Sequence, residues 1–130
     1  MKTKEILIEM YTAYVLDEQS RERLLAKFPP KYSKVIAHHI TVEFGVDSNT
    51  PPPPNAEIRV VGHADSGDGL EALVVSVDGE KQREDGKFYH ITWSLEPDKY
   101  RPVDSGDLIG YGKFKLTLPI PISTVPETLN

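Results

Sequence analysis

Apolar residues in this chain fall in short runs of alternating character, separated by clusters of Gly, Pro, Asp and Ser. That spacing predicts strands joined by turns, with little room for long helices. The run from Ile6 to Leu16, carrying Ile6, Ile8, Tyr11, Tyr14 and Val15, reads as a buried strand. Asp17 fits an N-cap, and Leu24, Leu25 and Phe28 form an apolar stripe, which predicts a helix over Glu18 to Lys27. Pro29-Pro30 cannot continue it, because neither ring carries a backbone donor. Lys34 to Phe44 (KVIAHHITVEF) reads as one continuous strand stopped by Gly45. Residues 47–55, with their run of prolines, favour extended polyproline geometry and read as a rigid surface loop.

Strands are predicted again over Glu57–His63, Leu70–Val77, Phe88–Leu95 and Lys113–Ile120. In the first of these, Ile58, Val60 and Gly62 share a face. Val103 to Ile109 reads as a short helix capped by Asp104 or Ser105. Pro119, Pro121 and Pro126 mark an edge strand followed by a loose tail over 121–130. Together these elements make an α+β domain of about six strands and one or two helices.

At 130 residues the chain suits a single domain large enough to bury a core. It has no cysteine, which excludes a disulfide framework, a thiol nucleophile and a Cys-ligated zinc site, and fits a cytoplasmic home. Its apolar runs are too short and too interrupted by charge for a membrane span, and no signal peptide is evident. A net charge of −5 argues against a long nucleic-acid groove, which needs a clustered cationic face. One phosphate group needs only a few local donors, so a small anionic substrate stays open.

The candidate chemistry lies in a repeated tripeptide, His39-Ile40-Thr41 and His90-Ile91-Thr92, its copies 51 residues apart. Alternate residues of a strand share a face. His39 and Thr41 therefore point one way, with Glu43, and Ile40 and Val42 the other. On the second strand His90, Thr92 and Ser94 share a face opposite Ile91, Trp93 and Leu95. Two imidazoles and two hydroxyls facing one cleft would suit a phosphodiester. An imidazole titrates near neutrality, so one neutral ring can take a proton from the attacking oxygen while a protonated partner gives one to the leaving oxygen. The threonine hydroxyls would hold the non-bridging oxygens where charge accumulates, and no metal or cofactor is required. The plain alternative is that both histidines are ordinary strand residues satisfied by neighbouring backbone.

The paired motifs, preceded by a strand and helix of the form YVLDEQSRERLLAKF, resemble the 2H phosphoesterase superfamily. That superfamily includes 2′-5′ RNA ligase-like enzymes, cyclic phosphodiesterases and phage proteins that degrade cyclic-nucleotide signals. The resemblance extends from Tyr11 to about Leu118, and its specific content is the two tripeptides. It implies two small β-rich lobes related by pseudo-twofold symmetry around a central groove, one motif from each lobe. His39 and His90 become the acid–base pair, with either as the base, and Thr41 and Thr92 the phosphate-binding hydroxyls. A small nucleotide or RNA-end phosphodiester (a 2′,3′-cyclic phosphate, a 2′-5′ linkage or a cyclic oligonucleotide) becomes the expected substrate. The chain departs from the family in being short and in lacking a second long helix. A nucleotide- or RNA-end-binding module without turnover, and a scaffold that uses its proline loop as a contact, are the other classes open.

Secondary candidates surround this pair. Tyr14 and Tyr11 lie beside the proposed groove and could stack on a base, as could Tyr89 or Trp93. The 79–87 loop brings Arg83 and Lys87 to the second motif, where either could meet a phosphate. His38 should face away from His39, and His63 should be an exposed turn residue. A metal site drawn from His38, His39, His63 and His90 would have only Glu43 as a carboxylate neighbour and is not expected.

Overall fold

The computed structural model describes residues 10–130. The portion of the first predicted strand before Met10 lies outside the described residues. In chain order the elements are β1 (Met10–Leu16), α1 (Glu18–Lys27), β2 (Lys34–Val35), β3 (His39–Val46), β4 (Ile58–Asp65), β5 (Leu70–Val77), β6 (His90–Leu95), α2 (Asp104–Gly110), β7 (Phe114–Ile122) and β8 (Thr124–Leu129). They form two antiparallel sheets, one of order β3-β1-β8 and one of order β2-β6-β5-β4-β7. Among the described residues the fold is thus α+β, with two helices. None of the described helices is long and apolar enough to cross a membrane.

Two apolar clusters hold these layers. Tyr14, Leu16 and Ile40 of the small sheet and Leu24 of α1 pack against Val60, Leu73, Val75, Ile91 and Trp93 of the large one. On the far face of the large sheet, Val61, Ala64, Ala72 and Val74 pack under Leu108 and Ile109 of α2. β5 is covered on both faces and buried along its whole length, which is why its sequence is a nearly unbroken apolar run. Asp17 caps α1 as expected, its carboxylate accepting from the Ser20 amide at 2.7 Å.

The expected single strand over Lys34–Phe44 is two strands in different sheets. Ile36 and Ala37 still donate to the Trp93 and Thr92 carbonyls of β6. Ala37 then takes a left-handed backbone (φ 43°), and the chain leaves the large sheet to pair with β1. Such a conformation costs a non-glycine residue roughly 1–2 kcal/mol. Arg21 of α1 helps to fix it by donating Nε–H to the Ala37 carbonyl at 2.8 Å.

Strict alternation also fails at one-residue bulges, and three of them change which residues share a face. Thr41 faces Ala13 and Glu43 faces Thr12, so Val42 is the extra residue and the phase flips after it. Glu43 therefore leaves the His39–Thr41 face and Phe44 joins it. In β6, Thr92 faces Ala72 and Ser94 faces Glu71, which makes Trp93 the extra residue and turns Ser94 away from Thr92. Val61 does the same in β4, where Gly62 pairs with Val74 on the face opposite Val60.

The C-terminal tail is ordered, in contrast to its expectation. β8 pairs with β1 from Tyr11↔Leu129 to Leu16↔Thr124, and it is an edge strand, where Pro126 costs no interior hydrogen bond. β7 is likewise an edge, as its prolines indicate. The 47–55 loop is a connector without regular structure, anchored by Tyr14 Oη donating to the Pro54 carbonyl at 2.7 Å and Thr128 Oγ1 to the Thr50 carbonyl at 3.0 Å.

Candidate active site

β3 belongs to the small sheet and β6 to the large one, and the two strands meet where the sheets adjoin. His39 and Thr41 from the first and His90 and Thr92 from the second line one cleft of about 710 Å³. Tyr11, Arg83 and Lys87 line the same cleft, so six of the sequence candidates besides Thr41 and Thr92 reduce to five that share it: the two histidines and these three. Tyr14 is the exception. Its ring is 3% exposed in the core and its hydroxyl is spent on Pro54, because it lies on the face of β1 opposite Tyr11. Trp93 is core as well, with Nε1–H donated to the Phe28 carbonyl, and Tyr89 packs against the same cluster.

The two imidazoles have different surroundings. His90 Nδ1 lies 2.9 Å from the Phe88 carbonyl, an atom that can only accept. That fixes the proton on Nδ1 and leaves Nε2 with an available lone pair. Burial lowers the tendency of His90 to charge, and Arg83 and Lys87 lower it further, against the opposing pull of the Phe88 carbonyl. His39 is pushed down to about 4, first by burial and then by the charges that His38 and His90 would carry. Both rings are therefore neutral at pH 7 in the unliganded protein, not the neutral-plus-charged pair that unperturbed histidines suggest.

His38 does not face away. The kink at Ala37 removes it from the strand, and its Nδ1 lies 3.0 Å from Nδ1 of His39. His63 is no turn residue either: it sits within β4 and donates Nε2–H to the buried Glu71 carboxylate at 2.7 Å.

The hydroxyls also differ. Thr41 is half-buried on the cleft wall. Thr92 is nearly buried and donates to the Pro102 carbonyl at 3.0 Å, so the 2.9 Å contact with Ser105 Oγ has Ser105 as donor. With its one hydrogen committed, Thr92 ties β6 to the first turn of α2. This explains why Ser105 is not a helix cap. The cap position is Val103, and Asp104 instead accepts from the Arg101 amide at 2.8 Å.

Charge around the cleft is mixed. Arg83 is held in a two-point pair with Asp85, at 2.9 and 3.2 Å, inside the tight turn closed by Arg83 N–H to the Lys87 carbonyl. Lys87 and Arg101 face the cleft without a carboxylate partner among the described residues, and Asp104 and Asp107 supply the opposing charges. Arg101 escapes a sequence reading because only the packing of α2 on the large sheet brings it near His90. Gly106 of α2 also borders the ring, 3.9 Å from His90 Cε1 to where a Cβ would stand.

Phe44 escapes for another reason: the bulge at Val42 moves it to the cleft face. There it is 56% exposed and stacks on Tyr11, with centroids 5.9 Å apart and planes 7° from parallel, and Tyr11 in turn touches His39. Pro102 and Val103 add apolar surface from the other sheet's side. The cleft thus offers an imidazole pair, an open hydroxyl, two available cations and a flat aromatic wall. Set against models of protein families, curated proteins and solved structures, the chain matches none of them.

Proposed function

We propose that this chain is a phosphodiesterase of the 2H type, acting on a small nucleotide or RNA-end diester by paired histidine acid–base chemistry. One observation carries the reading: two copies of His-Ile-Thr, on strands of different sheets, line a single cleft. A second supports it. Each copy is followed at once by a one-residue bulge, at Val42 and at Trp93, so the two half-sites share backbone form as well as sequence. Such a correspondence is what two lobes related by pseudo-twofold symmetry would give.

In this reading His90 is the base. Its Nε2 takes the proton of the attacking water or ribose hydroxyl, while Nδ1–H stays on Phe88. His39 gives a proton to the leaving oxygen. Thr41, Lys87 and Arg101 meet the non-bridging oxygens, and Thr92 keeps α2 against the site. The base of the nucleotide lies on the Tyr11–Phe44 wall. No step calls on a metal.

The test is a panel of 2′,3′-cyclic, 2′-5′-linked and cyclic dinucleotide substrates incubated in EDTA and read by chromatography. Turnover of at least one class is expected. Binding of a nucleotide at micromolar concentration with no turnover of any would replace the enzyme with a binding module. For the substrate that reacts, Phe44→Ala should raise KM about tenfold with little change in kcat, since base–aromatic stacking is worth about 1–3 kcal/mol. An unchanged KM would remove the aromatic wall from the binding site.

A further inference from the structure

We infer that His38 is the proton source of this site, a positioning residue that holds His39 in its donor tautomer and gives it a proton at Nδ1 as the Nε2 proton leaves. The inference rests on the two-histidine reading above and extends it to a third ring. Its geometric basis is the 3.0 Å contact between the two Nδ1 atoms, with the rings 78° from coplanar. Two nitrogens at that distance share one hydrogen, and burial decides where it resides. His38 is exposed and His39 is half-buried in the cleft wall. Charge is cheaper on the wetter ring. His38 thus donates Nδ1–H, His39 accepts at Nδ1, and the hydrogen of His39 must be on Nε2.

The consequence is a complementary pair. His90 presents a lone pair at Nε2 because Phe88 holds its Nδ1–H. His39 presents a hydrogen at Nε2 because His38 occupies its Nδ1. Acid and base are distinguished by their outer partners, with neither ring charged. This also answers how a ring that resists protonation can serve as an acid.

The step balances when His38 enters as the imidazolium. His39 transfers its Nε2 proton to the leaving oxygen as the phosphorus–oxygen bond breaks. His39 Nδ1 receives the Nδ1 proton of His38. Neutral His38, still carrying Nε2–H, and neutral His39, now carrying Nδ1–H, remain. To restore the starting state, the proton that His90 took at Nε2 returns through cleft water to Nε2 of His39, and His39 passes its Nδ1 proton back to His38, which is again the imidazolium.

The backbone is built to keep this contact. Ala37, fully buried and left-handed, is tied through its amide to the Thr92 carbonyl and through its carbonyl to Arg21, while the His38 carbonyl accepts from the Leu16 amide at 3.0 Å. The groups that share the cleft with His39 are Tyr11 from β1, His90 from β6, and Arg83, Asp85 and Lys87 from the turn before β6. Charge on His90, like charge on His38, further favours a neutral His39.

Nitrogen-15 NMR of the imidazoles and two variants test the inference together. In the wild type, His39 should be the Nε2–H tautomer and His90 the Nδ1–H tautomer; Nδ1–H on His39 would overturn the inference whatever the protein's activity. His38→Gln keeps a donor facing His39 but cannot transfer a proton, so the tautomer should persist, while His38→Ala should release His39 to a mixture. On a substrate the wild type turns over, both variants should lose about 10–100-fold with a ribose leaving group and less than threefold with p-nitrophenolate, which needs no proton. Equal losses on the two leaving groups would show a merely structural role and sink the proton supply. Absence of any wild-type turnover would strike the phosphodiesterase reading, and the NMR result would still decide the donor arrangement.

Discussion

His90→Ala and His39→Ala are each expected to lower turnover by about 10²–10⁴-fold, the range that a positioned acid or base contributes. The double variant should fall little further, because a base without its acid partner is already disabled. Neither change should cost much stability. The His90 ring makes one hydrogen bond, to the Phe88 carbonyl, and His39 touches Tyr11 and His38 at the cleft wall. Thermal midpoints within a few degrees of wild type would confirm that chemistry, and not folding, was lost. The pH dependence carries a second signature. The acid limb of kcat/KM reports the free enzyme's base, and burial holds His90 below the ordinary imidazole value. Activity should persist to a lower pH than an exposed histidine allows. Single variants that keep activity within a few-fold of wild type would refute the pair, and an acid limb at or above 6.5 would refute the assignment of His90 as base.

Much of this site can be read in the sequence because the His-x-Thr pattern needs only local periodicity. Two positions apart on a strand is a strong constraint, and both pairs do share a face. The helix Glu18–Lys27 is legible for similar reasons, with its cap and its double-proline stop adjacent in the chain. What fails is whatever depends on a partner strand. A bulge is a mismatch between two strands, so nothing within HITVEF announces that Val42 will be skipped, and Phe44 and Glu43 are assigned to each other's faces. KVIAHHITVEF looks continuous because every residue in it tolerates a strand. Only the competition of β6 and β1 for the same segment forces the turn at Ala37, and with it the approach of His38 to His39. The loose tail is a parallel case. Prolines correctly mark edges, but an edge strand is still a strand when β1 offers it a full register.

Acid stability should depend on a buried network on the opposite face from the cleft. Glu71 is 1% exposed, and its carboxylate accepts from Ser94 Oγ at 2.7 Å, from the Lys31 amide at 3.1 Å and from His63 Nε2 at 2.7 Å. Phe28 stacks on His63 at 5.5 Å, which seals the group under the end of α1. Burial alone would raise this carboxyl, but the donors His63, Ser94 and Lys31 outweigh it and hold the group below its ordinary value of 4.5. Glu71→Leu leaves buried donors without an acceptor and should cost about 3–5 kcal/mol. Glu71→Gln keeps an oxygen for Ser94 and Lys31 and presents an amide to His63, so it should cost less than half as much. The pH dependence separates this group from the histidines. A carboxyl depressed in the folded state contributes stability that is present above its unfolded value near 4.5 and is lost as pH falls through its folded value. His39 and His90, also depressed, bind protons more readily in the unfolded chain, so their share is lost earlier, for His39 between about 6.5 and about 4. Urea midpoints followed from pH 7 to pH 3 should therefore decline in two stages. Glu71→Gln should flatten the lower stage alone, and His39→Ala should weaken the upper. Because Ser94 follows the Trp93 bulge, which sets Thr92 against Ala72, Glu71→Leu should also disable the cleft although no atom of Glu71 lines it. Full activity in that variant would show that the bulge holds its register without the carboxylate.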